Sequence, residues 1–428
     1  MQDQRTFFEV ADRACHTTDR GRPVVCHATM RIGLSGCARQ PNHADWSLSA
    51  PLRQPTRAIA GSRASNEPLG DNTEDRGRMR EEQPCPAQTS VIVVTYNSRG
   101  DIDACLGSLQ AHSPDVEIIV VDNLSTDGTL DHVRRHYPRV RAVSAGRNGG
   151  YGAGNNIGAR LTTGEYLVIL NPDTEVEAGW LDPLLDVLRD RPEVGLVTPT
   201  ILLKGDGEKV NACGNDVHLT GLAFCAGLNR PAPPVSAPPR AVAAVSGAAF
   251  AVRREVWERL GGFDERFFMY LEDTDFSLRA RRLGHDILHV PASRIRHRYS
   301  ARVGATKLYH LERNRLLMLR KNLSPRTLAL LSPALLLTEL LTWAFCLRQG
   351  RAYARAKWRS YRRLWRERRE PVTMSPTPRH ADRAVLGSLG PRLALEQLET
   401  NTIATTVNRA LTLFYRCLRL AALAIVGR

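Results

Sequence analysis

The sequence predicts an α/β fold built on a parallel sheet, and residues 90–173 carry the evidence. Four short runs rich in Val and Ile lie there, separated by polar segments of helix length. Each run ends directly in polar residues. Buried parallel strands that are joined by crossover helices have this pattern. The predicted strands are 90–94, 116–121, 140–143 and 166–170.

The segments between and after these strands predict the helices. Ser125 or Thr126 is a suitable N-cap for the second of them. Residues 205–239 are rich in Gly and Pro, which predicts a loop or hairpin insertion that forms a wall of a substrate site. A strand is predicted at 195–198, and an apolar run at 242–252 is broken by Ser246 and Gly247. Helices are predicted over 101–112, from 125, and over 154–163, 180–189, 254–260 and 276–283.

Polar side chains follow the predicted strands at the places where the strands end. They are Thr95, Asp122, Asn148 and Asp173. Ligands of open α/β sheets bind outside the carboxyl ends of the parallel strands. The sequence therefore predicts one ligand-binding crevice that these four side chains surround.

Composition restricts the class of partner. The chain of 428 residues has a net charge of +15, which indicates an anionic partner. No zinc-finger spacing, basic heptad region or aromatic-basic RNA motif is present, so phosphates or an acidic membrane are favoured over nucleic acid. The nine cysteines form no C-x-x-C pair, which argues against structural zinc and a disulfide framework and indicates a reducing cytoplasm. The N-terminus lacks the apolar core of a secretion signal.

Changes in composition divide the chain into four parts. Residues 1–85 are polar without sustained periodicity, which predicts a disordered extension. Residues 86–325 form the predicted α/β domain. Residues 326–370 are predicted to form hydrophobic and basic amphipathic helices, and residues 371–428 a linker with a last amphipathic helix.

The tail predicts contact with a membrane. Residues 328–347 are apolar except for a polar stripe, and residues 348–370 hold ten Arg and Lys residues against two Glu residues. A helix lying in the membrane plane fits this pattern better than a spanning helix. A buried core helix followed by a solvated basic helix is the alternative.

Three acidic positions could carry chemistry. Asp173 ends the fourth strand, where a carboxylate suits a Mg²⁺ or Mn²⁺ ion that bridges two phosphates, although Asn-Pro-Asp is also ordinary turn chemistry. Glu272 and Asp273 are adjacent, so one of them can face the crevice as a general base while the other caps a helix. His297 could complete a metal site or lie on the surface.

The glycines of 147–156 lack dinucleotide-binding spacing, which disfavours NAD.

Taken in order, these segments resemble the family 2 glycosyltransferases of GT-A fold, especially their bacterial rhamnosyltransferase-like branch. The resemblance covers about 240 residues, so several individually weak motifs become specific together. The matching segments are 91–97, 120–128, 147–156, 170–174, 246–250, 261–265, 268–275 and His297.

The resemblance implies a GT-A fold, a Rossmann-like catalytic domain that transfers sugar from a nucleotide-diphosphate sugar with inversion. Asp273 resembles the general base, and Gly247 and Glu272 the supporting residues on the acceptor side. Asp173 resembles the second acid of the D-x-D metal motif and His297 a further ligand of Mg²⁺ or Mn²⁺; Asn171 replaces the first acid. The implied nucleotide-binding residues are Thr95, Tyr96, Asn97, Asp122, Asn148, Gly152 and Asn171.

The resemblance also implies the partners. The acceptor is a hydroxyl of a lipid-linked or polysaccharide molecule in cell-surface glycan synthesis, and dTDP-rhamnose is the favoured donor. The resemblance therefore also implies that the enzyme is located peripherally on the cytoplasmic face of the cell membrane. Two alternatives are a metal-dependent nucleotidyltransferase and a catalytically inactive membrane-associated scaffold. Intact Asp173 and Asp273 disfavour the scaffold.

Overall fold

The computed structural model describes residues 88–300, 302–367, 381–394, 397 and 402–426. The predicted disordered extension, residues 1–85, lies outside the described residues, as does the part of the linker from 371 to 380. The strands are β1 (Thr89–Thr95), β2 (Glu117–Asp122), β3 (Arg141–Ser144), β4 (Tyr166–Leu170), β5 (Thr174–Val176), β6 (Val194–Leu203), β7 (Val210–Ala212), β8 (Asn215–Val217), β9 (Ala223–Cys225), β10 (Arg240–Ala241), β11 (Ala249–Arg253) and β12 (Asp286–His297).

Helices follow most of the strands and form most of the C-terminal part of the described chain. A short 3₁₀ helix, Glu265–Phe267, precedes α6. The α-helices are α1 (Ile102–His112), α2 (Thr129–His136), α3 (Gly150–Leu161), α4 (Asp182–Asp190), α5 (Arg254–Leu260), α6 (Glu272–Arg282), α7 (Ala305–Asn322), α8 (Pro325–Leu330), α9 (Ser332–Gln349), α10 (Arg351–Arg366), α11 (Ala381–Ser388) and α12 (Thr402–Val426).

The four predicted strands form the parallel half of one large sheet. Their order is β3-β2-β1-β4, and each neighbouring pair is parallel. The chain moves outward from β1 to β3 and then returns to the other side of β1. A crevice opens at such a reversal, outside the carboxyl ends of β1 and β4. The predicted parallel core is confirmed, and its switch point lies between β1 and β4.

The other half of the sheet is antiparallel or mixed, which the prediction of a parallel sheet missed. Strand β11 runs antiparallel to both β4 and β6, and β12 is parallel to β6 but antiparallel to β5. Because β11 is reversed, its amino-terminal end lies beside the carboxyl end of β4. The segment before β11 therefore meets the edge where the crevice opens.

Alternation along β1 packs helices on both faces of the sheet. Val91 and Val93 face a cluster with Ile102 of α1 and Leu184 of α4. Ile92 faces the opposite cluster, which contains Trp257 of α5 and Phe276 of α6. Both faces of β1, β2 and β4 are covered, which is why these three strands are mostly apolar, whereas β3 at the edge of the sheet has exposed residues.

Several predicted helix starts are wrong. Helix α2 begins at Thr129 with Gly128 as its N-cap, because the Ser125 hydroxyl is bonded to Asp122 instead of capping the helix. Helices α3 and α6 each begin four residues before their predicted starts, at Gly150 and Glu272. Glu272 and Asp273 thus lie in the first turn of α6.

The tail packs on the α/β domain. Leu331 and Ala334 share a hydrophobic cluster with Phe267 and Leu317, and Val385 and Tyr415 belong to the same cluster. The predicted apolar run 328–347 is interrupted, since α8 ends at Leu330 and α9 begins at Ser332. Within the described part of the chain, no helix combines the length and apolarity that a bilayer crossing requires.

Candidate active site

The ends of β1 and β2 form a compact polar floor at one side of the crevice. The Thr95 hydroxyl donates to Asp122 Oδ1 at 2.8 Å, and the Ser125 backbone N–H donates to Asp122 Oδ2 at 2.8 Å. Thr95 is 0 % exposed and Asp122 2 % exposed. These two predicted nucleotide-binding residues lie together, and in this structure their polar atoms bind each other and Ser125.

The remaining predicted nucleotide-binding residues border this floor. Tyr96 and Asn97 follow β1, and Asn97 Oδ1 accepts the backbone N–H of Thr126 at 2.7 Å. Asn97 has a φ of 52°, a backbone strain of the kind that concentrates at functional sites. Asn148 is exposed and its Oδ1 accepts the Gly150 N–H at 3.0 Å. By contrast, Gly152 is buried in helix packing, where an added Cβ would lie 3.2 Å from Phe263 Cβ.

Asp173 and His297 meet at the end of β4. Strand β5 pairs with β12 and sets His297 opposite Thr174, which brings His297 Nε2 to 3.2 Å from Asp173 Oδ1. This contact lacks the geometry of a hydrogen bond, and Asp173 Oδ1 is buried without a hydrogen-bond partner. His297 Nδ1 lies 2.8 Å from Asn211 Oδ1. An Nδ1–H that donates to this oxygen leaves the Nε2 lone pair directed at the crevice, the arrangement found in metal-binding histidines.

The two acids at the start of α6 are both buried, but they differ in the hydrogen bonds that they accept. Asp273 Oδ2 accepts from the Gly247 N–H at 2.7 Å and from Asn215 Nδ2 at 3.0 Å, and Oδ1 accepts the Thr274 N–H at 2.6 Å. Glu272 Oε2, in contrast, is buried without a hydrogen-bond partner in the described structure.

This difference in hydrogen bonding separates the electrostatic environments of the two acids. Burial, followed by the charge of Asp273, raises the pKa of Glu272 to about 8. Burial also raises the pKa of Asp273, but the bonds from Gly247, Thr274 and Asn215 oppose that rise. Glu272 is therefore the acid that retains its proton at neutral pH, while the hydrogen bonds to Asp273 favour the ionised form of that carboxyl group. Adjacent buried acids with perturbed pKa values are typical of catalytic sites.

Residues 247 and 248 connect the two predicted catalytic regions. Gly247 donates its N–H to Asp273, while the carbonyl of Ala248 accepts the N–H of Asn171 at 3.0 Å. Asn171 is two residues before Asp173. Residues more than a hundred positions apart in sequence are therefore joined through neighbouring peptide groups at one edge of the sheet.

Tyr151 lies among all three acids. Its hydroxyl donates to the Gly247 carbonyl at 2.5 Å. Burial, followed by the charges of Glu272, Asp273 and Asp173, raises the pKa of Tyr151 well above its usual range. The hydroxyl thus stays protonated, and all three carboxyl groups act on it electrostatically.

A strained loop sets the start of α6. Phe268, Tyr270 and Leu271 have φ values of 62°, 68° and 65°, which are unfavourable for residues with a side chain. Asn314 of α7 holds this loop, because its buried Nδ2 group lies 2.8–2.9 Å from the carbonyls of Phe267, Met269 and Tyr270. Asn314 thereby positions the peptide that leads into Glu272 and Asp273.

The glycine-rich segment packs against the same loop, and this contact predicts a large effect of one substitution. A Cβ at Gly150 would lie 2.1 Å from the Phe268 carbonyl oxygen, whereas one at Gly146 would meet nothing within 4 Å. Both glycines have positive φ, at 85° and 72°. We expect Gly150→Ala to lower the unfolding free energy by about 1–3 kcal/mol more than Gly146→Ala does. Parallel denaturant titrations measure the difference, and equal losses would show that the loop yields without cost.

Sequence reasoning missed several residues of the site. Asn211 and Asn215 lie in the Gly/Pro-rich insertion, which supplies β7 and the hairpin of β8 and β9. No pattern relates Asn211 to His297, since they are 86 positions apart. Asn314 lies within a helix and gives no signal. Tyr151 did have a signal in the sequence, since it is the single aromatic residue of the 147–156 segment.

The chain was compared with known proteins. It matches the profile of glycosyl transferase family 2 over residues 90–212 and that of glycosyl transferase family group 2 over residues 166–345. It is 31 % identical over 244 residues to an N-acetylglucosaminyl-diphospho-decaprenol L-rhamnosyltransferase of Mycobacterium tuberculosis, covering 52 % of this chain and 79 % of that protein.

Two further similarities either cover a smaller share of the relative's length or have a lower sequence identity. The O-antigen biosynthesis protein RfbC of Myxococcus xanthus is 32 % identical over 289 residues, which are 62 % of this chain and 22 % of that protein. The crystal structure of S. aureus TarS 1-349 in complex with UDP-GlcNAc is 18 % identical with a TM-score of 0.46, covering 79 % of this chain and 90 % of that chain.

The sheet order β3-β2-β1-β4, with polar and acidic residues at its switch point, is typical of nucleotide-binding α/β enzymes. The similarities make the class specific: the chain belongs to glycosyl transferase family 2. It is a glycosyltransferase with rhamnosyltransferase-like relatives, as the sequence predicted. The nucleotidyltransferase and inactive-scaffold alternatives are set aside.

Proposed function

We propose that this enzyme transfers a sugar, with inversion, from a nucleotide-diphosphate sugar to an acceptor hydroxyl at the edge formed by Asp173, Gly247 and Asp273. The observation that carries the proposal is the junction at residues 247 and 248. There Gly247 holds Asp273 and Ala248 holds Asn171, so a donor-side carboxylate and an acceptor-side carboxylate border the same space.

The pair Asp173 and His297 fits a divalent cation, Mg²⁺ or Mn²⁺. Asp173 Oδ1 is buried without a hydrogen bond, and His297 Nε2 lies beside it with its other nitrogen at Asn211. No group of three or more His, Cys, Asp and Glu side chains forms a cation site in the described ranges. Two protein ligands leave room for diphosphate oxygens and water, as Mg²⁺ sites usually do. The cation would offset the charge that develops on the departing diphosphate.

Asp273 is the proposed general base. The hydrogen bonds from Gly247, Thr274 and Asn215 favour its ionised form, and the Gly247 and Thr274 N–H groups fix its orientation. The longest of its bonds, from the Thr274 hydroxyl at 3.2 Å, is the one that rotation can release. The freed lone pair accepts the proton of the acceptor hydroxyl while the acceptor oxygen attacks the anomeric carbon. Attack opposite the leaving diphosphate inverts the anomeric centre.

The donor and acceptor are proposed from the relatives. The Mycobacterium tuberculosis protein is named as an L-rhamnosyltransferase that acts on N-acetylglucosaminyl-diphospho-decaprenol. We propose dTDP-rhamnose as the donor and a hydroxyl of a lipid-linked glycan as the acceptor. The floor of Thr95, Asp122 and Asn97 would lie under the nucleotide. A lipid-linked acceptor in turn places the enzyme peripherally at the cytoplasmic face of the membrane.

A thermal-shift screen of nucleotide-diphosphate sugars tests the donor assignment. We expect dTDP-rhamnose to raise the melting temperature with Mn²⁺ or Mg²⁺ and to do so far less in EDTA, because a ligand that binds only the folded state stabilises it. UDP-GlcNAc and GDP-mannose serve as matched controls. Stronger stabilisation by one of these would replace dTDP-rhamnose as the donor, and metal-independent stabilisation would contradict the cation site.

A further inference from the structure

The outer face of α9 is apolar although the helix lies on the protein surface. Leu336, Leu340 and Leu347 are 63 %, 62 % and 66 % exposed, and Pro333 and Ala344 are exposed on the same helix. These positions recur every three or four residues and therefore share one side of the helix. Surface helices normally turn their polar side outward, so the orientation of α9 about its own axis is the opposite of the usual one.

A buried ionic network turns the polar side of α9 inward. Glu339 of α9 accepts from Arg315 of α7 and from the Tyr361 hydroxyl of α10. Lys357 of α10, which is 0 % exposed, bonds Glu312 and the Thr342 hydroxyl. Loss of one partner would leave a buried charge uncompensated, which is strongly unfavourable. The sequence stripe that would have faced lipid headgroups or water thus binds α7 and α10, and the leucines are held outward.

The neighbouring helix α10 adds aromatic and cationic groups. Trp358 and Trp365 are 58 % and 65 % exposed. Exposed arginines recur along the helix at 351, 355, 359, 362 and 366. Tryptophan and arginine combine an apolar body with a polar or charged end, which suits the boundary between acyl chains and headgroups. Helix α10 thus provides the polar border of the apolar face.

Helix α12 also has exposed leucines, although Arg409 and Arg416 are exposed as well. Leu413 and Leu420 are 64 % and 54 % exposed. The Tyr415 hydroxyl is buried and bonds the Thr338 hydroxyl of α9 at 2.9 Å. Two helices in contact therefore each place leucines in solvent, which is unusual for a protein surface that binds nothing.

We propose that the leucine face of α9 and the Arg/Trp face of α10 form a docking surface for an anionic lipid bilayer. The charges favour lipid over a second copy of the chain: residues 351–366 contain seven Arg and Lys residues and no acidic residue, so a symmetric pairing of this surface would oppose like charges. Anionic headgroups provide the complementary charge, and acyl chains cover the leucines. The inference rests on the proposed function only in that a lipid-linked acceptor explains why the enzyme would dock there.

Vesicle co-sedimentation of the full chain tests the docking surface. Wild-type protein is expected to pellet with vesicles of phosphatidylcholine and phosphatidylglycerol, less with phosphatidylcholine alone, and less at high salt. The variant Leu336→Gln/Leu340→Gln/Leu347→Gln is expected to bind at least about tenfold more weakly, since it removes three inserted apolar groups. Arg355→Gln/Arg359→Gln is expected to lose about fivefold per arginine on anionic vesicles only.

Matched controls separate this proposal from the catalytic one. Val235→Gln changes an apolar residue that is 53 % exposed on the α/β domain, and it should bind vesicles like wild type. Donor binding by thermal shift should be unchanged in the leucine variant, so a failed donor screen and a failed vesicle assay are distinguishable. Wild-type protein that stays in the supernatant, or a leucine variant that pellets normally, would overturn the proposal. Light scattering that shows a wild-type dimer and a monomeric leucine variant would also overturn the proposal, because it would assign the surface to a second copy of the chain.

Discussion

Asp273→Asn is expected to reduce sugar transfer by about 100- to 10,000-fold, the range that a general base contributes. The amide cannot accept the proton of the acceptor hydroxyl, while donor binding should stay within a few-fold. Both Asp273 oxygens accept backbone N–H groups, so the amide NH₂ must face one of these donors. A stability loss of about 1–3 kcal/mol is therefore expected as well. Transfer rate, donor affinity and melting temperature are measured on the same preparation.

Glu272→Gln is the matched control for this base assignment. The raised pKa of about 8 keeps Glu272 neutral at pH 7, and glutamine imitates a neutral acid in shape. Transfer should therefore largely persist in Glu272→Gln and be lost in Asp273→Asn. The reverse result would move the base role to Glu272.

The pH dependence gives a second readout of the base. Because burial raises the pKa of Asp273, wild-type activity should fall on acidification at a pH above the ordinary aspartate range. The sign follows from the role, since protonation removes the base as the pH falls. An acidic limb no different from that of an exposed aspartate would count against Asp273.

Asp173→Ala is expected to abolish the metal-dependent part of donor binding, with affinity in Mn²⁺ lowered by at least about 100-fold. The carboxylate is one of two protein groups that would hold the cation, and His297 alone cannot replace it. Isothermal titration of the donor with Mn²⁺ and with EDTA measures the effect. Affinities for wild type and variant should converge in EDTA.

The control for charge removal is Asp186→Ala. Asp186 is a surface carboxylate of α4 that pairs with Arg189, and its side chain is 57 % exposed. It should titrate Mn²⁺ and donor like wild type. If Asp173→Ala retained the full metal response, Asp173 would be a turn residue after β4, the ordinary role of an Asn-Pro-Asp sequence.

The sequence predicted the parallel half of the sheet well and the later half poorly. The four predicted strands are β1 to β4, and β1, β2 and β4 gave the strongest signal because strands that are covered on both faces need apolar runs. The antiparallel direction of β11 was not predicted, because a five-residue apolar run has the same pattern whichever direction the strand takes in the sheet. The start of α6 escaped prediction because the positive-φ residues Phe268, Tyr270 and Leu271 are held by Asn314, which local propensity cannot detect.

For the site and the tail, the sequence by itself determined the residue types: carboxylates after strands, glycines before a helix, and a polar stripe among leucines. The tertiary structure alone decided their environments. The ionised form is favoured at Asp273 rather than at Glu272 because donors from Gly247 and Asn215 reach Asp273. The middle of the polar stripe of α9 faces inward because Arg315 and Lys357, on other helices, neutralise Glu339. Periodicity identifies the two sides of a helix, but only the partners of its charges determine which side faces outward.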